Sequence, residues 1–219
     1  MTPTNPQERW MQAVATYDLP HLRLRQIAHL ATALQPRRLG DIGCATGQLR
    51  KLLPPEMEYV GTVFVVPATP PEFAFWPCNF NREPLPDGIA ALDVAVCSGV
   101  LEYLDRVPDF LATLHERVVP GGHLVASYFN MNHLSRVWTL LRGDSWPTHA
   151  DWRGFHSARA IKRFLAKAGW ELISMHVNSH GWRTSPAVGA TVEAPFTLPA
   201  VRPWSPWFAH QWLFVARRA

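Results

Sequence analysis

The sequence predicts one α/β domain built on a mostly parallel, doubly wound sheet of seven strands, with helices on both faces and an N-terminal helical segment. Three observations predict it. Apolar runs of strand length alternate along the chain with amphipathic runs of helix length. An early strand ends in a turn of small residues, Gly43-Cys-Ala-Thr-Gly47, before the next helix. Hydrophobic residues make up 47% of 219, enough for one full core at a length that suits one domain.

Residues 7–16 and 21–35 read as helices and form an N-terminal cap, 1–36. In the second, Leu22, Ile27, Leu30, Ala31 and Leu34 follow helical spacing, and Pro36 closes it. Arg38 to Gly43 is a short buried strand. Gln48 to Leu53 reads as a helix stopped by Pro54-Pro55. Glu58 to Phe64 is a second strand, rich in β-formers, and Phe73 to Trp76 a short third beyond the Pro-rich segment 67–71. Leu92 to Cys97 is a fourth. Pro108 to Val118 is an amphipathic helix with Phe110, Leu111, Leu114 and Val118 on one side. Pro120-Gly-Gly122 predicts a turn and His123 to Tyr128 a fifth strand. Ser157 to Ala168 is a helix with Ser157 as N-cap and Gly169 at its end. Trp170 to Val177 and Gln211 to Ala216 complete the seven strands.

Two stretches break the alternation. Residues 129–156 carry Trp138, Trp146, Trp152, His133, His149 and His156, and residues 178–210 carry five prolines. Aperiodic segments of this length are typically lids or disordered, and the aromatic content favours ordered covers. Seven of the ten tryptophans lie between Trp146 and Trp212; they serve either core packing or an aromatic-lined pocket.

Composition narrows the function. Cys44, Cys78 and Cys97 form no C-x-x-C pair and are odd in number, which predicts neither a disulfide framework nor a zinc site and fits a reducing cytoplasm. The ten histidines form no H-x-x-x-H pair on a predicted helix, so no metal is expected. Net charge is +4 without a long basic run, which disfavours nucleic acid. No apolar run is long enough to span a membrane and no secretory signal is visible, so no membrane partner is expected.

The residues that carry chemistry are Asp41, Gly43, Ala45 and Gly47. Their spacing, D-x-G-x-A-x-G, is neither the G-x-G-x-x-G of a dinucleotide site nor a G-K-[ST] phosphate loop. A carboxylate at this turn repels phosphate and suits an amine-bearing ligand.

At these residues the chain resembles the class I S-adenosylmethionine-dependent methyltransferases, in the small-molecule branch described as methyltransferase type 11-like. The resemblance covers roughly residues 37–177 and holds at five places in order: Asp41 to Gly47, Cys78 to Pro86, Asp93 to Leu104, Arg117 to Val125, and Ala168 to Leu172. It implies a Rossmann-like fold, S-adenosyl-L-methionine as cofactor and a small-molecule acceptor. It further implies that Asp41 and the backbone at Gly43, Ala45 and Gly47 hold the methionine end, with Cys97 and Ser98 flanking methionine and sulfonium. Val63 stands where the family carries an acid for the ribose hydroxyls, with Thr62 beside it. Asn79, followed by Phe80, stands where an Asp contacts adenine. Val cannot bind ribose, so a weakened ribose contact is expected. Asn still offers an acceptor oxygen.

Methyl transfer is an in-line displacement that needs alignment and, for a hydroxyl or amine acceptor, sometimes a base. The candidate bases are His133, His156 and Tyr128, with Tyr103 nearby; each also has an ordinary reading as a packed or exposed side chain. The acids of metal-dependent catechol-type enzymes and the N-P-P-Y of adenine methylation are missing, because Cys97-Ser-Gly-Val100 stands there. Cys78 reads as a buried small residue. The expected function is methyl transfer to oxygen or nitrogen of a small aromatic or apolar metabolite. The alternatives are a binding or scaffold protein with weakened or lost cofactor chemistry, and an RNA or protein methyltransferase. Oligomeric state stays open.

Overall fold

A computed structural model describes residues 22–67, 71–143, 153–154, 156–178, 198–199, 207 and 211–219. In chain order the elements are α1 (Leu22–Ala33), β1 (Arg38–Ile42), β2 (Glu58–Val63), β3 (Ala74–Pro77), β4 (Leu92–Cys97), α2 (Val107–Arg117), β5 (Val118–Phe129), α3 (Leu134–Leu141), α4 (Ala158–Lys167), β6 (Trp170–Asn178), β7 (Leu198–Pro199) and β8 (Gln211–Arg218). Short 3₁₀ turns occupy Arg50–Leu52 and Leu101–Tyr103.

The strands form one sheet in the order β3-β2-β1-β4-β5-β8-β6-β7. From β3 to β5 all pairs are parallel, and β8 runs antiparallel between β5 and β6. This is the doubly wound sheet the sequence predicts, with the two-residue β7 added on its edge. The order reverses between β1 and β4. In such sheets ligands bind at that reversal, outside the carboxyl ends of the strands.

Alternation along each strand feeds two cores. Val94 and Val96 of β4 pack with Ile27, Ala28 and Ala31 of α1. Ala95 and Cys97, one residue out of phase, pack with Phe110, Leu111 and Leu114 of α2 and Ile161 and Leu165 of α4. Trp170 and Trp212 are buried, and Trp170 Nε1 donates to the Leu111 carbonyl at 2.9 Å. These two tryptophans serve the core and not a pocket. Ser157 caps α4 by accepting from the Ala160 N–H at 3.2 Å, and Gly169 beyond its end has φ 84°.

Three local expectations are corrected. The helix expected over 48–53 is a single 3₁₀ turn, Arg50–Leu52, because Pro54-Pro55 follow too soon for i→i+4 bonding to propagate. The turn at 120–122 does not end a strand: Leu92 pairs with Val118 and Val94 with His123, so the intervening residues bulge out of β5. Within 129–156 the chain forms α3, whose alternation of apolar and polar residues is helical but too short to stand out.

Candidate active site

The chain leaves β1 through three left-handed residues, Gly43 (φ 78°), Ala45 (φ 51°) and Gly47 (φ 74°). A Cβ at Gly43 would lie 2.6 Å from Val100 Cγ2, and one at Gly47 would lie 2.4 Å from the Phe73 ring. The end of β2 pins this turn. Thr62 Oγ1 accepts from the Gly43 N–H at 3.0 Å, and the Thr62 carbonyl accepts from the Cys44 N–H at 2.8 Å. Ala45 is the strained member, since a left-handed conformation costs a residue with a Cβ about 1–2 kcal/mol. Ala45→Gly should therefore stabilise the protein by about 1 kcal/mol, net of the extra chain entropy of glycine. A urea midpoint that does not rise would show that the turn holds alanine without strain.

Asp41 ends β1 on the α1 face. It is 4% exposed, and Tyr59 of β2 donates its hydroxyl to Asp41 Oδ2 at 2.5 Å. Burial pushes the Asp41 carboxyl up to about 7, against the opposing pull of the Tyr59 hydrogen bond. The Cys44 and Cys97 thiols are pushed up too, first by burial, with the Asp41 charge adding to it.

Beyond β4, Cys97 stays in the core and Ser98 is the first residue outside it. Ser98 Oγ is buried and has no hydrogen-bond partner among the described residues. Gly99 (φ 69°) donates its N–H to Ser127 Oγ at 2.9 Å, and a Cβ there would lie 3.0 Å from the Arg23 guanidinium. Glu102 is 2% exposed. Its Oε1 accepts from the Phe129 N–H at 2.9 Å, and its Oε2 has no partner among the described residues. Burial holds the Glu102 carboxyl above the usual carboxylate range, while Arg23, the Phe129 N–H and Arg136 pull it down. Thus the ends of β4 and β5 are knitted into a buried polar floor.

The other predicted residues fall as follows. Val63 is fully buried and offers no hydrogen bond from its side chain. Thr62 is also fully buried, and its hydroxyl oxygen serves the Gly43 turn. Asn79 Oδ1 accepts from the Asn81 N–H at 3.2 Å, capping its own turn. The Phe80 ring packs on Phe110 at 5.5 Å and reaches within 4.0 Å of a Cβ built at Gly43, so it borders the turn. Cys78 is buried, as expected. The Tyr103 carbonyl accepts from Asn81 Nδ2 at 2.9 Å.

Tyr128 does not have the geometry of a base. Its hydroxyl donates to the Gly154 carbonyl and accepts from the His156 N–H, both at 2.7 Å, and burial raises it further above the ordinary tyrosine value. The His156 ring is packed between Tyr128, stacked at 5.9 Å, and Phe164, edge-on at 5.0 Å; burial lowers its basicity. His133 precedes α3 at the end of β5, half-buried, with burial and Arg136 lowering it. His149, Trp146, Trp152 and nearly all of 178–210 lie outside the described residues.

Sequence reasoning missed Tyr59, Arg23 and Glu102. A lone acid inside Leu101-Glu-Tyr-Leu104 was a signal for Glu102. Tyr59 and Arg23 carried none, because a Tyr in a strand and an Arg on a helix are commonplace.

Comparison with known proteins agrees with this geometry. A family model described as a methyltransferase domain matches residues 11–175. The chain belongs to the methyltransferase domain family. A curated protein of this kind, the mitochondrial ubiquinone biosynthesis O-methyltransferase of Schizosaccharomyces pombe, is 28% identical over 155 residues. That match covers 61% of this chain and 55% of the relative, so the chain spans about half the length of the curated relative it matches. Among solved structures, an S-adenosylmethionine-dependent methyltransferase from Mesorhizobium loti aligns with TM-score 0.59 at 16% identity, covering 90% of this chain and all of that one. A possible histamine N-methyltransferase from Thermotoga maritima aligns with TM-score 0.64 at 14% identity, covering 97% of this chain and 94% of that one.

S-adenosylmethionine is the cofactor of this methyltransferase family, and the residues present fit it. Asp41 is a buried carboxylate for an amino group, Ser98 Oγ beyond the end of β4 has no hydrogen-bond partner among the described residues, and the Gly43 turn has space only for a backbone. Val63, where the resemblance implies an acid for the ribose hydroxyls, is fully buried and apolar.

Proposed function

We propose that this chain methylates an oxygen or nitrogen of a small aromatic or apolar metabolite. The cofactor, when bound, supplies the activated methyl group and its leaving group. The chain's own residues then bind, orient and take up a proton. Asp41 and the Gly43–Gly47 turn hold the methionine end. The acceptor lies over the ends of β4 and β5, beside Ser98, Gly99 and Glu102.

The observation that carries the reading is Glu102 Oε2, which has no hydrogen-bond partner among the described residues. It is a buried acceptor oxygen at the sheet's reversal, and it suits an O–H or N–H donor far better than an apolar carbon acid. Burial raises its proton affinity, which suits a group that takes the acceptor's proton as the methyl arrives. The curated relative is an O-methyltransferase, which supports the same choice of acceptor atom. Residues 129–156, with α3 opening at the rim and Trp138 55% exposed on it, serve as part of the acceptor cover.

The test is a labelled-methyl assay on panels of phenols, catechols and aromatic amines, with RNA and protein extracts alongside. Methylated small molecules should accumulate in step with S-adenosylhomocysteine, and Glu102→Gln should reduce that turnover. Transfer confined to RNA or protein, or full turnover by Glu102→Gln, would overturn the reading.

A further inference from the structure

We propose that Tyr59 is a positioning residue of this site, its hydroxyl holding the Asp41 carboxylate in place for the cofactor's amino group. This rests on the reading that the Gly43–Gly47 turn binds the cofactor.

Asp41 is 4% and Tyr59 5% exposed, so their 2.5 Å contact is shielded from water. A buried carboxylate without a donor would be costly, and among the described residues Tyr59 is the side chain that donates to it. No salt bridge to Asp41 occurs among the described residues, so the phenol holds the group while leaving its charge available. The titratable groups facing this pair are the Cys44 thiol from the turn and the Cys97 thiol from β4, both neutral at ordinary pH, and Arg50, 5.9 Å from the Tyr59 ring centroid.

The ring itself is locked. Phe73 meets Tyr59 edge-on, with centroids 4.6 Å apart and planes at 87°. Phe73 can take that place because two neighbours are glycines: a Cβ at Gly47 would lie 2.4 Å from its ring, and one at Gly61 3.2 Å. The chain Gly47–Phe73–Tyr59–Asp41 therefore couples the backbone of the binding turn to the orientation of its acid. Gly47 thus has a role beyond backbone freedom, since it also makes room for the ring that fixes Tyr59.

Tyr59→Phe keeps the ring and removes the donor. S-adenosylhomocysteine affinity at about pH 7 should fall roughly tenfold, the loss of one hydrogen bond to a charged group. Without the donor Asp41 ionises at higher pH, so the acidic limb of the affinity profile should move up and the deficit should shrink by about pH 9. In the ligand-free protein, the Asp41 carboxyl signal of selectively ¹³C-labelled protein should titrate higher in Tyr59→Phe than in wild type. Phe73→Leu loosens the ring but keeps the hydroxyl. It should shift both readouts the same way by less, and it keeps the test informative if Tyr59→Phe fails to fold. Wild-type protein that does not bind S-adenosylhomocysteine would sink the cofactor reading and this one together. Normal wild-type binding, with affinity, pH profile and carboxyl titration unchanged in the variants, would overturn the role of Tyr59 alone.

Discussion

Asp41→Asn should weaken S-adenosylhomocysteine binding by about ten- to a hundredfold and, at about pH 8, make the unliganded protein more stable. The two effects share one cause. The Asp41 carboxyl sits at about 7 in the folded chain, raised from 3.8 by burial. Between those values the folded protein keeps a proton that the unfolded chain has released. The stability linked to that proton is fully present below about pH 4 and is lost as pH rises through about 7. At about pH 8 the folded state therefore carries a desolvated charge, at a cost of roughly 4 kcal/mol as an upper bound. Asparagine keeps an acceptor for Tyr59 and carries no charge, so this variant escapes the loss. It also lacks the anion that an amino group would pair with. Calorimetric titration and urea unfolding at about pH 5 and about pH 8 test both halves. The binding deficit should be largest at the higher pH, where wild-type Asp41 is ionised. Equal affinity, or a variant less stable than wild type at about pH 8, would contradict the assignment.

The second large effect concerns Tyr128, a strand residue 1% exposed. Tyr128→Phe should cost about 2–4 kcal/mol of stability, because it leaves the Gly154 carbonyl and the His156 N–H without their partner. The same hydroxyl ties Gly154 and His156 to the sheet, and the Glu102 carbonyl accepts from the Arg153 N–H at 2.8 Å and the Gly154 N–H at 3.2 Å. Hydrogen exchange at the His156 amide should accelerate as the segment loosens. Any loss of activity should enter through KM, with kcat and the pH profile preserved. A residue that removed the acceptor's proton would behave differently: kcat would fall by about a hundredfold or more and one limb of the pH profile would vanish. That second pattern, with stability intact, would restore Tyr128 as a base.

The site was legible in proportion to how local its signals are. Asp41, Gly43 and Gly47 are read from one strand and its turn, where spacing fixes geometry: the acid ends β1, and the glycines reverse the chain. Val63 is a fully buried apolar side chain at the position where the resemblance implies an acid. Glu102 and Tyr59 were not legible in the same way. Glu102 matters because its side chain crosses to the Phe129 N–H at the end of β5, and Tyr59 because its hydroxyl lands on a carboxylate 18 residues earlier. The lone acid inside Leu101-Glu-Tyr-Leu104 stands out in the sequence, but nothing local to either residue names the partner that its side chain reaches. Conversely, His156 and Tyr128 looked chemically able in the sequence, and their neighbours in space engage both.

The sequence by itself determined the alternation of strands and helices, the doubly wound sheet, the turn with its acid, and the family. The first three follow from short-range periodicity or from spacing within one turn, which needs no knowledge of distant partners, and the family from a resemblance at five ordered places along the chain. Only the tertiary structure decided which polar atoms are spent and which are free. Thr62 and Tyr128 are consumed by backbone groups that burial would otherwise leave unsatisfied, while Ser98 Oγ and Glu102 Oε2, beyond the end of β4, have no hydrogen-bond partner among the described residues. The reason is that hydrogen-bond satisfaction is settled between elements far apart in the chain, after packing has chosen which groups lose water.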